Sequence, residues 1–335
     1  MDSSPYTKGF YDDLREKTER SAREIVPLII ELIRPESVID VGCGVGIWLA
    51  AFESSGFRDI LGVDGDHIDR SMLAIPVDKF MSLDLKKPFR LKRQFDLTIC
   101  LEVAEHLPEE AAEEFVNSLT RLGPIVLFSA AIPFQGGEQH INEQWPDYWV
   151  ALFREKNYVV IDCLRKRIWN NDNVEWWYAQ NMLLFAKTSF LNNCPSLQRE
   201  LENADSSLLS IVHPRNYIHT VWMKMLYHGI GELRWLIPPE TTFILIDNGK
   251  LGLESFGDEA IPFLEKDGSY WGPPQDDDIA IRELERLRKG GADFIVFLWP
   301  AFWWLEYYTE LDFFIRSKFC CVLQNERLIV FDMRQ

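Results

Sequence analysis

The stretch that most limits what this chain can fold into is Val38-Ile39-Asp40-Val41-Gly42-Cys43-Gly44-Val45-Gly46-Ile47-Trp48. An apolar run leads through three alternate glycines into a segment of helical character, so a strand, a tight turn and a helix are expected in immediate succession. Glycines at such a turn let the backbone bend sharply and let a ligand approach the main chain with no Cβ in the way. This arrangement belongs to open, mostly parallel α/β sheets, which bind ligands outside the carboxyl ends of their strands. A dinucleotide fingerprint would place its third glycine at position 47, where Ile47 stands, and the pyrophosphate reading weakens accordingly.

The sequence around this turn repeats a strand and helix rhythm. Residues 9–34 have helical spacing, with Ile25, Leu28, Ile29 and Leu32 on one face and Pro35 ending the pattern. Residues 38–41, 60–63, 97–101 and 125–129 are short β-branched and apolar runs, separated by enough chain for crossover helices. A mostly parallel sheet covered on both faces is therefore expected. Residues 145–156 read as a helix, and 158–164 and 178–186 as two closing strands. Asn192, Asn193, Pro195, Ser206, Ser207 and Pro214 then mark a compositional shift. Beyond it comes a second rhythm: strand 243–246, helix 277–289, strand 294–298, and strands 319–323 and 328–331. The expected organisation is a first domain over 1–190, a helical linker over 191–235 and a smaller α/β domain over 236–335.

Composition removes several classes of function. The 335 residues carry 35 Lys plus Arg against 52 Asp plus Glu, a net charge of -17. A phosphate backbone or an anionic membrane surface calls for a basic face, so neither nucleic acid nor membrane is expected as a partner. The most apolar stretch, 292–305, is interrupted by Asp293 and Pro300 and is shorter than the ~20 residues of a bilayer span. The polar, mixed-charge N-terminus does not read as a secretion signal. Six cysteines, with no C-x-x-C pair, fit reduced thiols and a cytoplasmic location.

Further motifs follow the glycines. Asp64 ends the second strand about 20 residues on, where an acid can accept both ribose hydroxyls of an adenosine. Asp84, in Ser82-Leu83-Asp84-Leu85, is placed to meet an adenine amino group. The fourth motif is Leu101-Glu102-Val103-Ala104-Glu105-His106-Leu107-Pro108. Together these motifs resemble the class I S-adenosylmethionine-dependent methyltransferases, in particular a bacterial group with a D-V-G-C-G-x-G first motif and an E-V-x-E-H-L fourth motif. The resemblance covers roughly residues 20 to 187. It implies a Rossmann-like sheet with helices on both faces, S-adenosylmethionine as cofactor, and a reversed pair of terminal strands. Carried over, the cofactor-binding roles fall on Gly42, Gly44, Gly46, Asp64, Asp84, Leu85, Leu101 and Glu102, with Asp40 supporting the loop from beneath.

The acceptor end of the reaction is read from Gly136-Gly137-Glu138-Gln139-His140-Ile141-Asn142-Glu143-Gln144-Trp145, which follows the fifth strand. A hydroxyl is a poor nucleophile until its proton is removed, and an imidazole titrates near neutrality. His140 is therefore the expected general base, with Glu143 as the second catalytic residue. His140, Asn142 and Glu143 together offer nitrogen and oxygen to Mg²⁺, but that ion prefers oxygen and water, so no metal is assigned. Trp145, Tyr148, Trp149 and Trp177 are expected to stack against the acceptor, since flat rings with polar edges suit a sugar or a phenol.

The last third has no nucleotide loop or nucleophile motif. Its segment 291–308 resembles accessory regions beside bacterial glycosyltransferase and methyltransferase domains of surface-glycan systems, which implies a sugar-derived acceptor. Its aromatics Trp299, Trp303, Trp304, Tyr307 and Tyr308 leave core, lid and homodimer surface open. The expected function is methylation of a hydroxylated small molecule or glycan by in-line displacement. N-methylation of an amine, or cofactor binding without turnover, are the alternatives.

Overall fold

The computed structural model describes residues 8–204, 208–249, 259–266 and 268–334, so Ser206, Ser207 and the first residues of the polar N-terminus lie outside the described residues. Two compact units divide the chain, Met1–Thr220 and Val221–Gln335. The division falls inside the segment expected to act as a linker, and the first part of that segment packs on the first unit.

The first unit opens with helix α1 (Lys8–Ile33), whose Ile25, Ile29 and Leu32 are buried as the spacing predicted. Strand β1 (Ser37–Val41), helix α2 (Ile47–Ser54) and strands β2 (Asp59–Asp64), β3 (Phe80–Ser82) and β4 (Leu97–Leu101) follow. Helix α3 (Ala112–Leu122), strand β5 (Ile125–Ser129), helix α4 (Pro146–Glu155) and strand β6 (Tyr158–Ile161) continue the alternation. Short helices α5 (Arg165–Ile168) and α6 (Trp176–Asn181) lead to β7 (Leu183–Lys187), and then come α7 (Thr188–Leu191), α8 (Pro195–Asn203) and α9 (Pro214–Leu236), whose residues from Val221 on belong to the second unit.

The sheet order is β3-β2-β1-β4-β5-β7-β6. β1 through β5 pair in parallel, and β7 runs antiparallel between β5 and β6. Every residue of β1, β4 and β5 is buried, as expected for strands covered on both faces. One apolar layer joins α1, α2, α6 and α8 to the sheet, and a second joins α3 and α4 to its other face. The expected strand over 178–186 is in fact α6 followed by β7. Tyr178 turns onto Trp48 with ring centroids 5.2 Å apart, while Gln180 and Asn181 turn into a buried polar network.

Arg165 explains why the chain beyond β7 stays on this unit. Its guanidinium is 1% exposed, pairs with Asp162 at 2.6 Å and donates to the carbonyls of Gln180 and Leu209. Leu197 and Leu209 complete the two apolar layers.

The second unit has its own sheet. Its strands are β8 (Phe243–Ile246), β9 (Ala260–Pro262), β10 (Glu265–Lys266), β11 (Ser269–Tyr270), β12 (Phe294–Leu298), β13 (Cys320–Gln324) and β14 (Leu328–Asp332). Its helices are α10 (Asp277–Lys289), α11 (Trp303–Tyr307) and α12 (Thr309–Lys318). β13-β14-β12-β8-β9 form one sheet and β10-β11 a separate hairpin. Helices α10 to α12 cover one face, and Leu233 of α9 with Ile237 just after it cover the other. Trp304 and Tyr308 belong to this core, whereas Trp303 and Tyr307 are exposed. No helix of the described residues is long and apolar enough to cross a membrane.

Candidate functional site

The site is built where β1, β2, β4 and β5 end together. Parallel pairing sets Val41 opposite Val63 and Leu101 opposite Ser129, so the turns that follow emerge on one edge. Gly42 has φ 80°, and a Cβ there would lie 2.3 Å from Cγ2 of Val103, so only glycine fits this contact between two neighbouring turns. Gly44 faces the other way: a Cβ on it would meet nothing within 4 Å, which leaves this part of the turn open to a ligand.

Asp64 holds the glycine turn. Its carboxylate accepts from the amides of Gly44 at 2.7 Å and Gly65 at 2.6 Å, leaving further lone pairs for ligand hydroxyls. Burial raises its pKa, opposed by those two amides. Asp40 lies deeper, 2% exposed, with its pKa raised well above the usual carboxylate range by burial and by Asp64. Its Oδ2 has no hydrogen-bond partner. Asp84 is at the rim, paired with Lys87 at 2.9 Å and accepting from the Lys86 amide, with Leu85 beside it half-buried. The ion pair lowers the Asp84 pKa.

After Leu101, Glu102 turns with φ 54°. Its carboxylate accepts from Nδ2 of Asn181 at 3.2 and 3.3 Å and from Nε2 of Gln135 at 3.2 Å. Gln135 Oε1 in turn accepts from Gln180 and Asn181, and Gln180 Oε1 accepts from the His213 amide and the Asn216 side chain. Sequence reasoning missed this network. Its amides sit in the apolar 178–186 run, in the loop after β5 and at the start of α9, and their separation in sequence gave no spacing to read.

The loop after β5 folds back onto the same corner. The amides of Ile141 and Asn142 donate to the carbonyl of Glu105, at 2.9 and 3.0 Å. His140 is thereby set against His106, with ring centroids 4.9 Å apart and an interplanar angle of 83°. Gly137, at φ 156°, leaves room for the imidazole, since a Cβ there would be 2.3 Å from its Cε1 and Nε2. Glu143 accepts from the amides of Phe134 at 2.7 Å and Gly136 at 2.9 Å and lies 3.0 Å from Nδ1 of His140. An ionised Glu143 fixes the imidazole proton on Nδ1 and leaves Nε2 as the basic nitrogen.

Glu105 is fully buried. Its Oε1 accepts from the Ala131 amide at 3.2 Å, and its Oε2 has no partner. Burial first, and then the charge of Glu102, raise its pKa. His106 Nδ1 is likewise buried without a partner, and burial followed by His140 lowers the His106 pKa. Ligand atoms of Glu105, His106 and His140 all lie within 4.8 Å of one another. This trio is not the His140, Asn142 and Glu143 set weighed from the sequence. Asn142 instead accepts from the Gln144 side chain, and Glu143 is occupied with its own loop.

The four aromatic residues expected at the acceptor are dispersed. Trp149 is 2% exposed and packs on Phe128 at 5.2 Å in the layer of α3 and α4, with Tyr148 against it. Trp177 packs against the layer on the opposite face of the sheet. Trp145 is 42% exposed just before α4, which makes it the one of the four most available to a ligand.

Residues 14–204 match a family described as Methyltransferase domain. No curated protein matches the chain. Among solved structures, the methyltransferase domain of bacterial CtHen1 is 18% identical with a TM-score of 0.37, over 50% of this chain and 99% of that one. Magnesium protoporphyrin IX methyltransferase of Synechocystis PCC 6803, solved with bound SAM, is 18% identical with a TM-score of 0.40, over 56% and 87%. CalS10 of Micromonospora echinaspora, an amino pentose methyltransferase, is 13% identical with a TM-score of 0.40, over 56% and 100%.

Proposed function

This chain belongs to the methyltransferase-domain family that its residues 14–204 match, and from that membership we propose that it methylates a hydroxyl oxygen of a small molecule or sugar-derived acceptor. The cofactor is S-adenosylmethionine. The residues fit that group: Gly44 presents an open face, Asp64 keeps lone pairs free, and Asp40 holds an orphaned buried oxygen beneath the turn. Gly42, Gly44 and Gly46 would pass beside its methionine part, Asp64 would take the ribose hydroxyls, and Asp84 and Leu85 the adenine edge. Leu101 and Glu102 would line the pocket. When bound, it supplies a methyl group on a sulfonium that is already activated for displacement.

What remains for the protein is to align the acceptor oxygen, exclude water and take one proton. The observation that carries the reading is the His140–Glu143 pair at 3.0 Å. The carboxylate orients the ring, and Nε2 accepts the hydroxyl proton as the oxygen attacks. Trp145 offers a flat face for the acceptor.

The test is turnover of the purified chain with S-adenosylmethionine against a panel of sugars, phenols and amines, followed by release of S-adenosylhomocysteine. Release with a hydroxylated acceptor is expected. Release with amines alone would replace O-methylation by N-methylation, and binding without release against the whole panel would make the protein a cofactor-binding scaffold.

A further inference from the structure

We propose that Glu105, His106 and His140 form a binding site for one divalent first-row transition-metal ion, of the Mn²⁺, Fe²⁺, Co²⁺ or Zn²⁺ class. Two imidazoles and a carboxylate converge with their ligand atoms inside 4.8 Å, close enough that small side-chain rotations bring all three onto one ion. An independent observation points the same way. Glu105 Oε2 and His106 Nδ1 are buried polar atoms with no hydrogen-bond partner, and Glu105 has no exposure at all. A buried lone pair left unpaired costs free energy, and a bound ion would satisfy both atoms at once.

The surroundings complete the argument. Glu143 engages Nδ1 of His140, an outer-shell carboxylate that orients a ligating imidazole and leaves Nε2 to face the ion. The Glu105 carbonyl accepts from Ile141 and Asn142, which ties the loop bearing one imidazole to the turn bearing the other. Glu102 is satisfied by Asn181 and Gln135 and contributes negative charge beside the site rather than a vacant ligand atom. Two nitrogen donors disfavour Mg²⁺ and Ca²⁺, which take oxygen.

This inference deepens the function proposed above and rests on its reading of this corner as the acceptor site. Three protein ligands leave positions open on the ion, and an acceptor hydroxyl bound there ionises far more easily than in water. Its O–H bond breaks with the proton released to solvent, and the oxygen lone pair forms the new bond to the methyl carbon as the carbon–sulfur bond breaks. One nitrogen lone pair cannot hold a proton and an ion together. In the loaded protein His140 is thus a ligand, and its role as base belongs to the ion-free protein.

The experiment uses the full chain after chelator treatment, titrated with Mn²⁺ followed by paramagnetic resonance and with Co²⁺ followed by visible absorption. One equivalent is expected, with Co²⁺ giving ligand-field bands. Glu105→Gln and His106→Gln should each weaken binding about tenfold or more, each variant being checked for wild-type cooperative unfolding. Absence of stoichiometric binding by wild-type chain, or wild-type affinity in both variants, overturns the site. S-adenosylhomocysteine binding is measured on the same sample, so that cofactor binding without ion binding removes the metal site and spares the methyltransferase reading. Ion binding that the two substitutions weaken upholds the site even where no cofactor binds.

Discussion

The two units use similar strands and helices, but the carboxyl ends of their parallel strands differ in how their polar groups are satisfied. In the second unit Asn248, just past β8, donates to the carbonyl of Pro300 and accepts from the Trp304 indole at 2.8 Å, and Tyr308 donates to the carbonyl of Pro274. Asp247 accepts from the Gly249 amide. In the first unit the corresponding edge holds Asp40, Glu105 and His106, each with a buried atom lacking a partner. Among the described residues, every buried side-chain atom without a partner lies in the first unit. A satisfied edge spends its polar groups on stability, whereas the unpartnered atoms of Asp40, Glu105 and His106 are the ones the proposals above assign to ligands.

The contrast can be broken at several points. The largest effect is expected from His140→Ala, which should lower turnover about 10² to 10⁴-fold while leaving S-adenosylhomocysteine affinity close to wild type. Steady-state kinetics beside calorimetry reads both, and unchanged turnover would assign His140 to loop structure. Asp64→Ala should weaken cofactor binding by about 1.5–3 kcal/mol, because a charged acceptor is lost from both the ligand and the glycine turn. Calorimetric affinity equal to wild type would place the ribose elsewhere.

Asn248→Ala makes the reverse test in the satisfied edge. It should cost about 1–3 kcal/mol in urea unfolding, since the Trp304 N–H loses its partner, and should leave cofactor affinity unchanged. A fall in affinity equal to that of Asp64→Ala would erase the distinction between the two edges.

A smaller effect concerns Asp40, whose folded-state pKa burial raises above its unfolded value. Between the unfolded carboxylate value near 4 and the raised folded value, the native state holds a proton that the unfolded state has released. Stability of the ligand-free protein should therefore fall as pH rises through that window, by at most about 1.4 kcal/mol per pH unit from this one group. Asp40→Asn should flatten the slope, and an unchanged pH profile of the urea midpoint would mean that Asp40 ionises freely. Least affected of all should be a chain ending after Leu236, for which we expect cofactor affinity within a factor of about three of wild type if the first unit holds the whole site. Loss of binding on that truncation would mean that the site depends on the second unit.

The strand ends at Val41, Asp64, Leu101 and Ser129 were legible because buried parallel strands are continuous apolar runs, and the glycine turn was legible because its residue type follows from local backbone needs. Those features settle the sheet, and with it the edge on which Gly42, Asp64 and Glu102 meet. The aromatic residues were less informative. Trp149 and Trp177 share a residue type with Trp145, but the face of the sheet each one occupies depends on helix rotation, which composition does not encode. The boundary between the units was also obscured, because Arg165 draws residues 208 and 209 back onto the first sheet through main-chain carbonyls that have no sequence signature.

What the sequence determined by itself is the α/β class, the glycine turn and the chemical types available along the carboxyl edge, all of which depend on residues close together in the chain. The tertiary structure decided which of those types meet. His106 and His140 come from different loops, and they face one another only because the Glu105 carbonyl captures the amides of Ile141 and Asn142. Likewise, Gln135, Gln180 and Asn181 surround Glu102 only once β7 has inserted between β5 and β6. Contacts made through main-chain hydrogen bonds between distant segments leave no periodicity in the sequence, since any residue can supply an amide or a carbonyl.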